Sequence, residues 1–63
     1  MEMLTIKYRT VNAETGESFI FDTLREADRK LCEINLSGKD ELVPCYNEEV
    51  WPGGYTRLIH QGL

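Results

Sequence analysis

Apolar and polar residues alternate from Leu4 to Val11, with Leu4, Ile6 and Tyr8 on one side and Thr5, Lys7 and Arg9 on the other. A period of two, built from β-branched and aromatic residues, predicts a half-buried strand. The alternation resumes from Ser18 to Phe21, where Phe19 and Phe21 share a face and Ile20 takes the opposite one. Between the two runs, Asn12 can start a turn through its side chain and Gly16 can adopt a positive φ. The sequence therefore predicts a β-hairpin with a short loop.

At Thr23 the period changes. Thr23-Leu24-Arg25-Glu26 is a capping box, in which the Thr23 hydroxyl can accept from the Glu26 amide and the Glu26 carboxylate can reach back to the Thr23 amide. Asp22 adds negative charge at the positive end of the helix dipole. Leu24, Ala27, Leu31 and Ile34 then recur at spacings of three and four, the apolar stripe of an amphipathic helix. Leu31, in mid-stripe, is expected to be fully buried. Glu26 and Lys30 stand four apart in the favourable order, and Arg29 can pair with Glu33. Gly38 is expected to end the helix in the left-handed conformation.

Beyond the helix, Glu41 to Tyr46 reads as a strand. Pro44 lacks an amide proton, which predicts a sheet edge or a bulge there. Residues 47–51 follow as an acidic loop. Trp51-Pro52-Gly53-Gly54 is a turn, with Pro52 fixing φ and Gly53 free to take a positive value. Tyr55 to His60 is the last strand. The order β-β-α-β-β predicts an α+β fold, a small antiparallel sheet with one helix packed across a face. The whole of residues 1–63 reads as a single domain.

That architecture leaves one sheet face without a layer over it. If Leu4, Ile6, Tyr8, Phe19 and Phe21 meet the helix, Ile20 and Val11 must point away, and Leu58 and Ile59 fall on opposite faces. The uncovered face thus carries apolar side chains, which on a small chain points to a protein interface. Trp51 and Tyr55 bracket a turn and add aromatic surface of the kind that anchors interfaces. Glu48 and Glu49 offer charge to a basic partner. The candidate partner-binding residues are Ile20, Glu48, Glu49, Trp51 and Tyr55. The partner is a protein, either a basic one or a second copy of the chain.

Composition narrows the alternatives. The formal charge of −4 disfavours attraction to phosphate or anionic lipid. With 41% hydrophobic residues the chain is not a disordered tail. The two cysteines, Cys32 and Cys45, match no zinc or redox spacing and read as small, reduced, partly buried apolar residues. Met1 to Thr5 lacks the basic start and apolar run of a signal peptide, and no segment reads as a membrane span, so a cytoplasmic location is expected. No Gly-rich phosphate loop is present, and Gly53-Gly54 sits in a turn ahead of a strand. His60 has no neighbour in sequence to orient it as a base. The expectation is a non-enzymatic protein without cofactor or metal.

One resemblance qualifies this reading. The run from Tyr8 to Leu31 contains the turn Glu14-Thr15-Gly16-Glu17 and the helix start Phe21-Asp22-Thr23-Leu24-Arg25-Glu26-Ala27. It resembles the arm-type DNA-binding domain of tyrosine recombinases, which lays a three-stranded sheet into the major groove. The resemblance covers less than half of the chain and implies an alternative function, nucleic-acid binding through Lys7, Arg9, Arg25 and Arg57. Those domains are strongly basic, whereas this chain is acidic and carries Glu14 and Glu17 where phosphates would approach. No residue is carried over as a base reader. In size, charge and element order the chain is also similar to small acidic phage proteins that bind and inhibit a host nucleic-acid enzyme. That likeness implies an adaptor or inhibitor encoded by a phage or mobile element and acting on a host protein.

Overall fold

The computed structural model of the chain describes residues 5–38 and 40–62, the last three by backbone alone. Leu4 and the His60 side chain lie outside the described parts. The elements are β1 (Lys7–Asn12), β2 (Ser18–Phe21), α1 (Leu24–Asn35), β3 (Cys45–Val50) and β4 (Thr56–Gly62). The strands form one antiparallel sheet in the order β2-β1-β3-β4. The fold is the expected α+β arrangement of one helix and an antiparallel sheet.

The first hairpin forms as its turn residues dictate. Asn12 Oδ1 accepts from the amides of Glu14 and Thr15 at 2.9 and 3.3 Å, and Gly16 takes a φ of 83°. The second hairpin closes over Trp51–Tyr55, where the Trp51 amide donates to the Tyr55 carbonyl at 2.7 Å.

The third strand differs from expectation. It starts at Cys45, one residue after Pro44, and lies inside the sheet between β1 and β4 rather than at an edge. Standing outside the strand, Pro44 owes no amide proton to the ladder, so the edge argument does not apply to it. Residues before it bond to the end of the helix instead. The Val43 amide donates to the Asn35 carbonyl at 3.0 Å, and Asn35 Nδ2 donates to the Val43 carbonyl at 3.0 Å. The expected acidic loop 47–51 is therefore mostly strand.

Helix α1 is capped as the sequence indicates. Thr23 is extended (φ −128°, ψ 151°), and its hydroxyl accepts from the Glu26 amide at 3.3 Å. The second half of the expected capping box differs: the Glu26 carboxylate accepts from the Thr23 hydroxyl at 3.0 Å and not from the Thr23 amide. Thr23→Ala is expected to cost about 1 kcal/mol by leaving a helix amide without its acceptor. Amide exchange over residues 24–27 should quicken; an unchanged exchange rate would remove Thr23 from this role. The helix end departs from the prediction. Leu36 closes it, with its amide on the Cys32 carbonyl at 3.1 Å, and Gly38 does not adopt a positive φ. Gly38 is required for space: a Cβ there would overlap the Glu41 carbonyl oxygen.

The helix lies over the sheet through Ala27 and Ile34, 0% and 7% exposed, with Cys45 at 4% beneath it. Leu31, expected to be fully buried, is only half-buried, as is Leu24. The largest fully buried side chains are polar, Thr10 and Asn47. They complete each other. The Thr10 hydroxyl lies 2.6 Å from Asn47 Oδ1 and 3.0 Å from the Ala27 carbonyl, one proton between two acceptors. Asn47 Nδ2 donates to Asp28 Oδ1 at 2.7 Å. Burial of such groups is tolerable because each finds a partner. This chain of bonds ties β1 and β3 to the middle of the helix.

Candidate interaction surface

Side chains alternate across the sheet, so the buried Thr10 and Asn47 fix both faces. Thr10 shares the helix side with Tyr8, and Asn47 shares it with Cys45 and Glu49. Lys7, Arg9 and Val11 of β1 and Tyr46, Glu48 and Val50 of β3 lie on the opposite face. The register places Ile20, Arg9, Glu48 and Leu58 in one row across all four strands. At the usual strand spacing this row is about 14 Å wide.

The middle of the row is an ion pair. Arg9 Nε donates to Glu48 Oε1 at 2.6 Å, and Arg9 Nη2 also reaches that oxygen. The side chains are 33% and 12% exposed, so the pair lies low in the surface with its charges cancelled. Both ends of the row are apolar, Ile20 and Leu58 each being 55% exposed. Val11, Tyr46 and Val50 are half-buried around the pair. A second ion pair, Lys7 of β1 with Asp22 just past the end of β2, borders the face.

The five residues singled out for partner binding fall into two groups. Ile20 and Glu48 belong to the uncovered face. Glu49, Trp51 and Tyr55 lie at the far end of the β3–β4 hairpin on the helix side. There Trp51 and Tyr55 meet edge to face, with ring centroids 6.2 Å apart and planes at 65°. The Trp51 indole N–H donates to Glu49 Oε1 at 3.2 Å. Tyr55 is 62% exposed. Neither glutamate is an uncommitted loop acid: Glu48 is held by Arg9 and Glu49 by Trp51. Leu58 was not among the candidates, although its alternation with Glu48 through the register makes it the counterpart of Ile20. Strand pairing in the second half, which sets that register, is invisible in the sequence.

The four cations of the nucleic-acid reading are also dispersed. Lys7 and Arg9 share the uncovered face, but each is bound to a carboxylate of the chain itself. Arg25 is exposed on the helix, and Arg57 stands opposite Glu49 on the helix side of β4. Of the cysteines, Cys32 is exposed, against the expected partial burial, and Cys45 is buried with its thiol on the Leu31 carbonyl at 3.5 Å. No helix among the described residues is long and apolar enough to cross a membrane. Comparisons with protein-family models, with curated proteins and with solved structures found no match.

Proposed function

We propose that the chain is a small non-enzymatic protein-binding module and that the uncovered sheet face receives another protein. The observation that carries this reading is the row Ile20–Arg9–Glu48–Leu58. Two apolar side chains, each more than half exposed, flank an ion pair whose charges are already satisfied. A centre without net charge can be covered without leaving a buried group unpaired, and the apolar flanks gain by leaving water. Arginine is enriched at interface cores and glutamate is depleted there, so it is the pairing of Glu48 with Arg9 that lets this centre be covered. The same pairing argues against nucleic acid on this face, because a phosphate would have to displace Glu48 or Asp22 before meeting Arg9 or Lys7.

The test is retention of a partner from lysate of the native cell by the tagged chain at high salt, compared with the Ile20→Asp/Leu58→Asp double variant. Both substitutions are at exposed positions, so circular dichroism should show an unchanged fold. The wild type is expected to retain a defined protein that the double variant loses. Equal retention by the two chains would refute the assignment of this face. Binding that disappears steeply with added salt would instead indicate phosphate contacts. Light scattering over a range of concentrations distinguishes a second copy of the chain as the occupant.

A further inference from the structure

The edge of the sheet at β2 offers a separate kind of contact. β2 is the outermost strand on its side, and the Asn12 amide donates to the Glu17 carbonyl at 2.8 Å. Residues 12 and 17 are thus a hydrogen-bonded pair. Bonding alternates along an antiparallel ladder, so Thr10–Phe19 and Tyr8–Phe21 are the next such pairs. Ser18 and Ile20 consequently turn their backbone N–H and C=O groups outward. Beside this edge, β2 and α1 enclose an open-sided groove of about 230 Å³ lined by Phe21, Glu26, Arg29, Lys30 and Glu33.

Most of the charges around the groove are engaged within the chain. Glu26 is bonded to Thr23 at the helix cap. Lys30 bridges to Glu33 at 3.2 Å and lies 4.4 Å from the centre of the Phe19 ring. Arg29 has no ion pair or hydrogen bond among the described residues and is exposed at the rim. The groove therefore combines an aromatic floor, one uncommitted guanidinium and a strand edge with free backbone donors and acceptors.

We infer that this groove binds an extended segment of another protein, added as a further strand along β2, with an acidic side chain that pairs with Arg29. Strand addition takes its affinity from main-chain hydrogen bonds and its specificity from alternate side chains. Every second side chain of the added strand enters the groove. The matching sequence is an apolar residue for Phe21 and, two positions along, an Asp or Glu for Arg29. The guanidinium can hold that carboxylate in a bidentate pair. The inference extends the protein-binding reading to a second surface and does not depend on the uncovered face.

The probe is a library of short linear peptides selected on the wild-type chain, with selected peptides measured by fluorescence anisotropy. The expected binders share an apolar residue and an acidic residue two positions apart. Ser18→Pro removes an outward amide that no bond within the sheet uses, and should weaken them by about tenfold or more. Arg29→Glu should weaken them about tenfold, and exchanging the acidic peptide residue for lysine should restore the loss. The Ser18 and Ile20 amides should gain protection from exchange on binding. Leu58→Asp should leave peptide affinity unchanged, which distinguishes this edge from the uncovered face. Selected peptides without that spacing, or with affinities indifferent to both Ser18→Pro and Arg29→Glu, would overturn the inference, as would a selection that yields no binder. Should Ser18→Pro fail to fold, the Arg29→Glu and peptide-lysine exchange decides the matter alone.

Discussion

Ile34→Ala is expected to cost about 2–5 kcal/mol, the range for truncating a buried aliphatic side chain. Ile34 is 7% exposed, near the C-terminal end of the only helix among the described residues. Few apolar side chains are buried as deeply, and small folds have little stability in reserve. The variant should therefore be largely unfolded at moderate temperature. Leu31→Ala should cost clearly less, because Leu31 is only half-buried and its truncated form leaves a site that water can enter. Urea denaturation followed by circular dichroism ranks the two. If Leu31→Ala proved the more damaging, the helix would have to be rotated from the orientation described.

Asn47→Ala should rank beside it, at about 3 kcal/mol, although the side chain lost is polar. Asn47 is 0% exposed, accepts from Thr10 and donates to Asp28, so truncation removes two buried bonds and leaves a cavity. Thr10→Val should cost about 1–2 kcal/mol, since the surviving Asn47 oxygen loses its donor. The double variant should cost less than the sum, because both changes remove the same hydrogen bond. Strict additivity would mean that the Thr10 proton is given to the Ala27 carbonyl instead. A more stable Asn47→Leu variant would show that the polar link specifies register without contributing stability.

The same residues explain what was legible beforehand. The hairpin and helix were readable because local chemistry decides them: Asn12 and Gly16 shape a turn, and Thr23 caps a helix whatever lies above. The third strand was misplaced because Asn47, Glu48 and Glu49 look like a solvated loop in one dimension. Their polarity is satisfied by groups far away in sequence, Asp28 and Thr10 for Asn47 and Arg9 for Glu48. Asp28 was likewise invisible as a contact of the helix with the sheet, since only the strand that meets it gives it a role. For the candidate surface, Ile20 was found by alternation within its own strand. Leu58 was missed because its place in the row depends on the pairing of β3 with β4. Trp51 and Tyr55 do meet, but on the side of the sheet away from Ile20.

The irregularity in that pairing bears on behaviour in a crowded solution. Glu48 stands opposite Leu58 and Asn47 opposite His60, so Ile59 is an extra residue in the outermost strand β4. A bulge bends its strand and sharpens the local twist. An incoming strand that tried to copy the ladder along β4 would find a regular template on each side of Ile59 for only about three residues, well short of an ordinary strand. The longest exposed edge of the sheet is in this way a poor seed for stacking molecule on molecule. The extra residue at Ile59 thus works together with the exposed charge of Arg57 on the same strand to discourage edge-to-edge pairing.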